Sequence, residues 1–166
     1  MQIRKSNKND IPRIMELYDI SRKYMREMGN LNQWTNGYPQ ISVVENDIKK
    51  GNSYVYCEDS GIIQGTFYFG IEEDSTYNKI YDGNWLNDKP YGVIHRLAVG
   101  INKKGIASRC FNLCFSKIGN IKVDTHKDNI PMRNLLQKQG YTYCGIIYLL
   151  NGDERLAFQK CSEMAL

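Results

Sequence analysis

Val93-Ile94-His95-Arg96-Leu97-Ala98-Val99, followed by Asn102-Lys103-Lys104-Gly105, is the stretch that decides the fold. The apolar run predicts a strand, and the spacing of apolar residues from Ile106 onward predicts a helix over 106–118. A basic, glycine-containing turn between a strand and a helix can bind an anion, because the first N–H groups of the helix point at the ligand. Residues 103–108 therefore predict a phosphate or pyrophosphate cradle, with an ordinary surface turn as the alternative.

The rest of the chain alternates between strand and helix patterns. Two helices are expected before residue 51, and the turn Asp59-Ser60-Gly61 predicts a hairpin of strands 53–58 and 62–70. Residues 71–90 predict a loop with room for a short strand. A strand over 121–125, a helix over 130–139 and two closing strands follow. The order β-α-α-β-β-β-α-β-α-β-β predicts one layered α/β (α+β) domain over residues 1–166.

Two motifs resemble those of the GCN5-related N-acetyltransferase (GNAT) family. The family pattern [Q/R]-x-x-G-x-[G/A] corresponds to Asn102-Lys103-Lys104-Gly105-Ile106-Ala107, with Asn in place of Gln or Arg. The second motif matches at Asn129, Lys138, Gly140 and Tyr141, whereas Leu136 replaces a frequent tyrosine. The resemblance implies a mixed, mostly antiparallel sheet of six to seven strands. About four helices would flank this sheet, which would splay between strands four and five.

The resemblance also implies acetyl-coenzyme A as co-substrate. The backbone of the fourth strand would bind the pantetheine arm, the cradle would bind the pyrophosphate, and Asn129 would contact the arm unless it is a plain helix cap. The backbone N–H of Val99 would stabilise the oxyanion that develops on the thioester. The residues implied to bind the coenzyme are Leu97, Ala98, Val99, Lys103, Lys104, Gly105, Ile106, Ala107, Ser108 and Asn129.

Acetyl transfer to an amine requires a base, because only the neutral amine has a free lone pair. Asp124 ends the fifth predicted strand, and His126 has an ordinary pKa near about 6.5. Asp124 could instead cap a turn, and His126 could be a surface loop residue; His95 is a further candidate base or a core histidine. Leu136 cannot donate a proton to the leaving thiolate, which leaves Tyr143, with Tyr141 and Cys144, as candidate acids. Asp124, His126 and Tyr143 are thus the candidate catalytic residues.

The acceptor amine is expected to bind between loop aromatics. Trp34 and Tyr38 lie between the first two predicted helices, and Trp85 precedes the fourth strand. Aromatic rings on loops can form an apolar wall that also attracts a cation. The alternative is that one or both tryptophans fill the core. The implied acceptor is a small-molecule amine, an amino acid or a peptide N-terminus.

Composition limits the other classes of function. The net charge of +4 over 166 residues suits an anionic coenzyme but is too weak and scattered to predict nucleic-acid binding. No apolar run reaches the ~20 residues of a membrane span, and the first residues lack a signal-peptide core. Five cysteines without paired spacing and only two histidines predict no disulfide framework and no metal site. We therefore expect a cytoplasmic protein, either a monomer or a homodimer.

Two other functions fit the same residues. A catalytically silent acyl-CoA-binding sensor or scaffold would tolerate Asn102 and Leu136 at the two departures from the family motifs. A protein that binds nucleic acid through surface lysines and tyrosines is the third possibility, although Lys49-Lys50 and Lys103-Lys104 are far apart in sequence.

Overall fold

The computed structural model describes residues 1–101 and 104–162, and its strands and helices follow the predicted order. Seven strands form one sheet in the order β1-β2-β3-β4-β5-β7-β6. The strands are β1 (Gln2–Lys5), β2 (Ser53–Cys57), β3 (Ile63–Ile71), β4 (Gly92–Val99), β5 (Asn120–Thr125), β6 (Thr142–Tyr148) and β7 (Glu154–Cys161). The helices are α1 (Ile11–Glu27), α2 (Ile41–Lys49), α3 (Ile106–Ile118) and α4 (Ile130–Lys138). The expected mixed, mostly antiparallel sheet with about four helices is confirmed.

The chain divides into two compact units. The first comprises Met1–Phe69 and His95–Phe111, and the second comprises Gly70–Ile94 and Asn112–Leu166. The single-domain expectation for 1–166 stays a prediction, and the two units are described in turn.

The first unit is built on an apolar core between α1, α2 and the strands β2 and β3. A 3-10 turn over Lys8–Asp10 leads into α1 and is fixed by a capping box, in which the Asn7 side chain accepts the Asn9 N–H and the Asp10 carboxylate accepts the Asn7 N–H. The buried Asp10 also receives two hydrogen bonds from Arg4, at 2.7 and 2.9 Å. The core residues are Ile14, Leu17, Tyr18, Val44, Val55, Cys57, Ile63 and Ala98.

The second unit is an antiparallel arrangement of β5, β7 and β6 that the segment 70–91 joins. Gln159, which is fully buried on β7, accepts the backbone N–H of Leu86 at 2.7 Å and donates to the Asn120 side chain at 2.8 Å. Asn120 donates to Asn87 at 2.9 Å. A buried polar network thus fastens the segment to β5 and β7, because each of these groups would otherwise lose a hydrogen bond.

Residues 72–91 form the predicted loop, without the short strand for which the prediction left room. A 3-10 turn over Ser75–Tyr77 and a single bridge between Tyr81 and Ile146 take its place. The cause is long-range: Gly83 lies so close to β6 that an added Cβ would be 2.0 Å from the Cys144 carbonyl oxygen. The sequence in between shows no alternation that would indicate this contact.

Strand β4 pairs with β5 over a short, parallel ladder. The paired residues are Gly92 with Ile121 and Val93 with Lys122. A ladder of two residues is what the expected splay of strands four and five requires. Further along β4, Arg96 has a φ of 53°, a conformation that a non-glycine residue rarely adopts.

All five cysteines are free thiols, and Cys110 and Cys114 are buried in α3 as expected of small apolar residues. Among the described residues, no group of three or more His, Cys, Asp or Glu side chains could hold a metal ion. No helix in the described part of the chain is long and apolar enough to cross a membrane.

Candidate functional site

The first candidate element is the start of α3 in the first unit. Gly105 has a φ of +84°, and an added Cβ would meet no atom of the described residues within 4 Å. Its carbonyl accepts the N–H of Arg109 at 3.1 Å, so the helix begins directly after it. In any α-helix the first N–H groups lack partners within the helix, which here concerns residues 106–108. The predicted cradle therefore has the geometry of an anion site; Lys104 is exposed beside it, and the expected role of Lys103 lies outside the described residues.

Close packing fixes the direction of this helix start. Ile106 is 5% exposed. Its side chain lies so near Gly65 of β3 that a Cβ added there would be 3.0 Å away. The N–H of Gly100 donates to the Gln64 carbonyl at 2.9 Å. The end of β4 and the start of α3 are thus both anchored to β3, which gives a rigid support to the cradle.

A buried ion pair joins β4 to α2 in the same unit. Arg96 donates from Nε and Nη2 to the two Asp47 carboxylate oxygens at 3.0 and 2.9 Å. It also donates to the Tyr38 hydroxyl at 3.2 Å and lies 4.8 Å from the centre of the Tyr68 ring. Burial raises the pKa of Asp47, and the Arg96 charge opposes that shift. Burial acts against the Arg96 charge as well, but Tyr38 and Asp47 hold the pKa of Arg96 above its ordinary value.

The aromatic residues predicted for acceptor binding belong to both units. Trp34 and Tyr38 form a cluster with Tyr18 in the first unit. The centre of the Trp34 ring lies 5.4 Å from that of Tyr18 and 6.4 Å from that of Tyr38. Trp34 packs against the core while remaining partly exposed. His95 lies 5.8 Å from the Tyr68 ring. Tyr38 is thus held by Arg96, and Trp34 combines a core contact with a partly open surface.

In the second unit, Asp124 accepts a hydrogen bond from a buried tyrosine. The Tyr77 hydroxyl donates to Asp124 Oδ2 at 2.7 Å. Tyr77 is 2% exposed, while Asp124 is partly exposed at the end of β5. Burial raises the pKa of Tyr77 well above its ordinary value, and the charge of Asp124 raises it further. Asp124 thus lies within β5 and has a tyrosine hydroxyl as a donor to its carboxylate.

Trp85 belongs to the same cluster as Tyr77. Its indole N–H donates to the Tyr77 carbonyl at 2.9 Å. The Lys122 ammonium lies 4.4 Å from the centre of the Trp85 ring and 4.2 Å from that of Tyr91. Lys122 is 4% exposed, and burial lowers its pKa. Trp85 is therefore held by a hydrogen bond to Tyr77 and by a cation–π contact with Lys122 of β5.

His126 is buried directly after β5. Its Nδ1 accepts the backbone N–H of Asp128 at 3.2 Å and lies 3.5 Å from the Asp128 carboxylate. Burial lowers the pKa of His126, and the positive charge of Arg155 lowers it further. The surface-loop alternative is wrong, since His126 is 9% exposed.

Three further predicted positions lie on or near α4 and β6. Asn129 caps α4, and its side-chain oxygen accepts the Met132 N–H at 3.2 Å, as the cap alternative expected. Leu136 is fully buried in α4 and fills a core position. Tyr143 is 50% exposed on β6, with its ring 5.7 Å from that of Phe158.

Comparison with known proteins places this arrangement in a family. No protein-family model matches the chain, and no curated protein matches it. A solved GNAT-family acetyltransferase from Streptococcus agalactiae 2603 is 32% identical over 98% of this chain and 95% of its own, with a TM-score of 0.89. The chain belongs to the GNAT family of acetyltransferases.

More distant members of the structural comparison share the fold. A putative acetyltransferase from Staphylococcus aureus Mu50 is 24% identical over 97% of this chain and 99% of its own, with a TM-score of 0.72. A GNAT-superfamily phosphinothricin acetyltransferase from Sinorhizobium meliloti, solved in complex with AcCoA, is 14% identical with a TM-score of 0.63. It covers 96% of this chain and 87% of its own.

No motif in the sequence of this GNAT chain marks Asp47, Tyr77, Arg96 or Lys122 as site residues. One signal was present for the second unit. Asn120, Lys122 and Asp124 alternate with apolar residues along β5, so they share one face of a strand that is otherwise buried. Polar groups on a buried strand face predict that another segment covers and pairs with them.

Proposed function

We propose that this protein transfers the acetyl group of acetyl-CoA to a primary amine of a small molecule, an amino acid or a peptide N-terminus. The observation that carries the proposal is the α3 start, where Gly105, with a φ of +84°, directly precedes the first helical N–H groups of a GNAT-family chain. Anions are stabilised at such helix ends by the helix dipole as well as by hydrogen bonds. A coenzyme A pyrophosphate has the charge that this site favours.

The proposed coenzyme contacts follow the order of the chain. The backbone of Leu97, Ala98 and Val99 would bind the pantetheine arm in the manner of an added strand, and residues 103–108 would bind the pyrophosphate. Asn129 can contribute its side-chain amide group while its oxygen caps α4. All of these roles are proposals by analogy with the family motifs.

The proposed reaction is direct attack in a ternary complex. The lone pair of the neutral amine forms a bond to the thioester carbonyl carbon, and the amine proton passes to the Asp124 carboxylate directly or through water. The developing oxyanion is stabilised by the Val99 N–H. The C–S bond then breaks, and coenzyme A leaves as a thiolate that takes a proton from solvent or from a donor such as Tyr143.

The proposed acceptor contacts are Trp34 and Tyr38 from the first unit and Trp85 from the second. Aromatic rings attract an ammonium group before it is deprotonated. We further propose that the protein works in the reducing cytoplasm, since all five of its cysteines are free thiols.

The test is release of coenzyme A thiol from acetyl-CoA with a panel of amines, amino acids and short peptides. The wild-type chain is expected to turn over with at least one acceptor, and Asp124→Asn is expected to lower kcat by about a hundredfold or more. Asp59→Asn, in the exposed β2–β3 turn, is the matched control and should keep wild-type activity. Tight binding of acetyl-CoA without turnover on any acceptor would instead support the silent acyl-CoA-binding module.

A further inference from the structure

Tyr77 is a buried tyrosine to which none of the proposed steps gives a role. It ends a 3-10 turn whose start is fixed by Asp74, which accepts the Thr76 N–H at 2.9 Å and the Thr76 hydroxyl at 2.6 Å. From this turn the ring extends into the second unit, and its hydroxyl reaches Asp124 Oδ2 at 2.7 Å. The turn therefore delivers a hydrogen-bond donor to the candidate base.

In the contact between the two side chains, Tyr77 is the donor and Asp124 is the acceptor. Burial and the nearby Asp124 charge raise the pKa of the Tyr77 hydroxyl well above its ordinary value. The hydroxyl is therefore held in its protonated form, as the donor to Asp124 Oδ2. A donor to a carboxylate forms a short, charge-assisted hydrogen bond, which fixes the plane of the carboxylate.

Tyr77 itself is held in place by two other aromatic residues. Trp85 donates its indole N–H to the Tyr77 carbonyl at 2.9 Å, and the two ring centres lie 5.3 Å apart. The Tyr91 ring centre lies 6.3 Å away. Lys122 lies against both Trp85 and Tyr91. Because the donor is locked by packing and hydrogen bonds, it can preorganise Asp124 without itself contacting a substrate.

We propose that Tyr77 is a positioning residue, which orients the Asp124 carboxylate for proton abstraction from the acceptor amine. The inference rests on the proposed function, in which Asp124 is the base. Asp124 would carry the chemistry, and the segment before β4 would contribute to catalysis through Tyr77 in addition to its proposed contact with the acceptor.

The charged groups around Asp124 come from several elements of the second unit. Tyr77 contributes the hydroxyl, and Asp74 precedes it in the same turn, where its backbone N–H donates to the Tyr91 hydroxyl at 3.1 Å. Lys122 lies two residues earlier on the same face of β5. Tyr77 donates a hydrogen bond directly to the Asp124 carboxylate, which makes it the residue to change.

The experiment compares Tyr77→Phe with Tyr56→Phe in the full chain. Each variant removes the hydroxyl of a buried tyrosine, but Tyr56 belongs to the first unit and its hydroxyl donates to the Met1 sulfur. With an acceptor found in the panel, Tyr77→Phe is expected to lower kcat by about ten- to hundredfold while KM for acetyl-CoA and for the acceptor stays within about twofold. Tyr56→Phe should retain kcat, and thermal unfolding of both variants establishes that they fold.

A second comparison separates positioning from an independent role. If Tyr77 acts through Asp124, adding Tyr77→Phe to Asp124→Asn lowers kcat no further than Asp124→Asn alone. A multiplicative loss in the double variant, or an unchanged kcat in folded Tyr77→Phe, would overturn the inference while leaving the proposed function in place. If the wild-type chain turns over with no acceptor, the proposed function and the inference about Tyr77 both fail. That outcome is distinct from failure of the inference alone, because it is seen in the wild-type chain before any variant is made.

Discussion

Breaking the buried ion pair between Arg96 and Asp47 should destabilise the first unit severely. The side chains are 14% and 7% exposed, and two hydrogen bonds at 3.0 and 2.9 Å join them. Removal of one partner from such a pair leaves an uncompensated buried charge, which costs about 3–5 kcal/mol. Asp47→Asn keeps the shape and one acceptor oxygen, so we expect a loss of about 3 kcal/mol.

The assay is urea unfolding, followed by circular dichroism and by tryptophan fluorescence. With a urea dependence of about 2–3 kcal/mol per molar, the expected loss lowers the midpoint by about 1–1.5 M. The control is Glu16→Gln, which removes the exposed partner of the Arg13–Glu16 pair and should change the free energy of unfolding by less than about 1 kcal/mol.

A double-mutant cycle gives the decisive number. Arg96→Met alone should also cost about 3–5 kcal/mol, whereas Arg96→Met combined with Asp47→Leu should cost less than the sum, with a coupling of about 2–3 kcal/mol. Single variants that each cost under about 1 kcal/mol, or strictly additive losses, would refute the conclusion that this pair is buried and coupled.

Two other predictions concern buried titratable groups of the second unit. The pKa of His126 is lower in the folded chain than its ordinary value, so the unfolded chain takes up a proton first as pH falls below about 6.5, and the free energy of unfolding declines from there downward. His126→Gln should flatten this decline between pH 7 and 5 in thermal unfolding. An equal decline in the wild-type and variant chains would contradict the prediction. Lys122→Met loses two cation–π contacts but also removes a charge that burial has desolvated. Its free energy of unfolding in urea titration should therefore stay within about 1 kcal/mol of wild type. A loss above about 3 kcal/mol would contradict this and would mean that the Lys122 ammonium is required for stability.

Helix positions could be predicted from sequence because their signals are local. Asn129 caps α4, Pro131 lies in its first turn, and Gly140 follows its end with a φ of 77°. The helix after the cradle begins at Ile106 and ends at Ile118, as the apolar spacing predicted. Helix propensity, helix capping and apolar periodicity each depend on residues a few positions apart, so a single sequence is enough to predict them.

The segment 71–90 could not be predicted because distant residues determine its conformation. Leu86 bonds to Gln159, 73 residues away, and Tyr77 bonds to Asp124, 47 residues away. Neither pairing leaves a periodic pattern within the segment. The same holds for Arg96, whose positive φ and partner Asp47 are set by packing between β4 and α2.

The part of the candidate site that a local backbone motif defines could be predicted from the sequence. The contacts between side chains from distant parts of the chain could not. Gly105 and the start of α3 follow from a local glycine and a helix pattern, whereas the donor to Asp124 does not. Leu136 illustrates the reverse case: a motif comparison marks it as a departure, but its full burial shows that it is a core residue. Enlarging it would test packing before it tested catalysis.

Calorimetric titration with acetyl-CoA tests the central claim most directly, using Gly105→Asp and Gly61→Asp beside wild type. Both glycines have nearly the same φ, +84° and +83°, and both have open space at the Cβ position, so the two variants carry the same strain and the same charge change. Wild type should bind, Gly61→Asp should bind within about twofold, and Gly105→Asp should bind at least about tenfold more weakly, because its carboxylate would face the phosphates. Equal affinity of the two variants, or no binding by the folded wild-type chain, would contradict a coenzyme site at the start of α3.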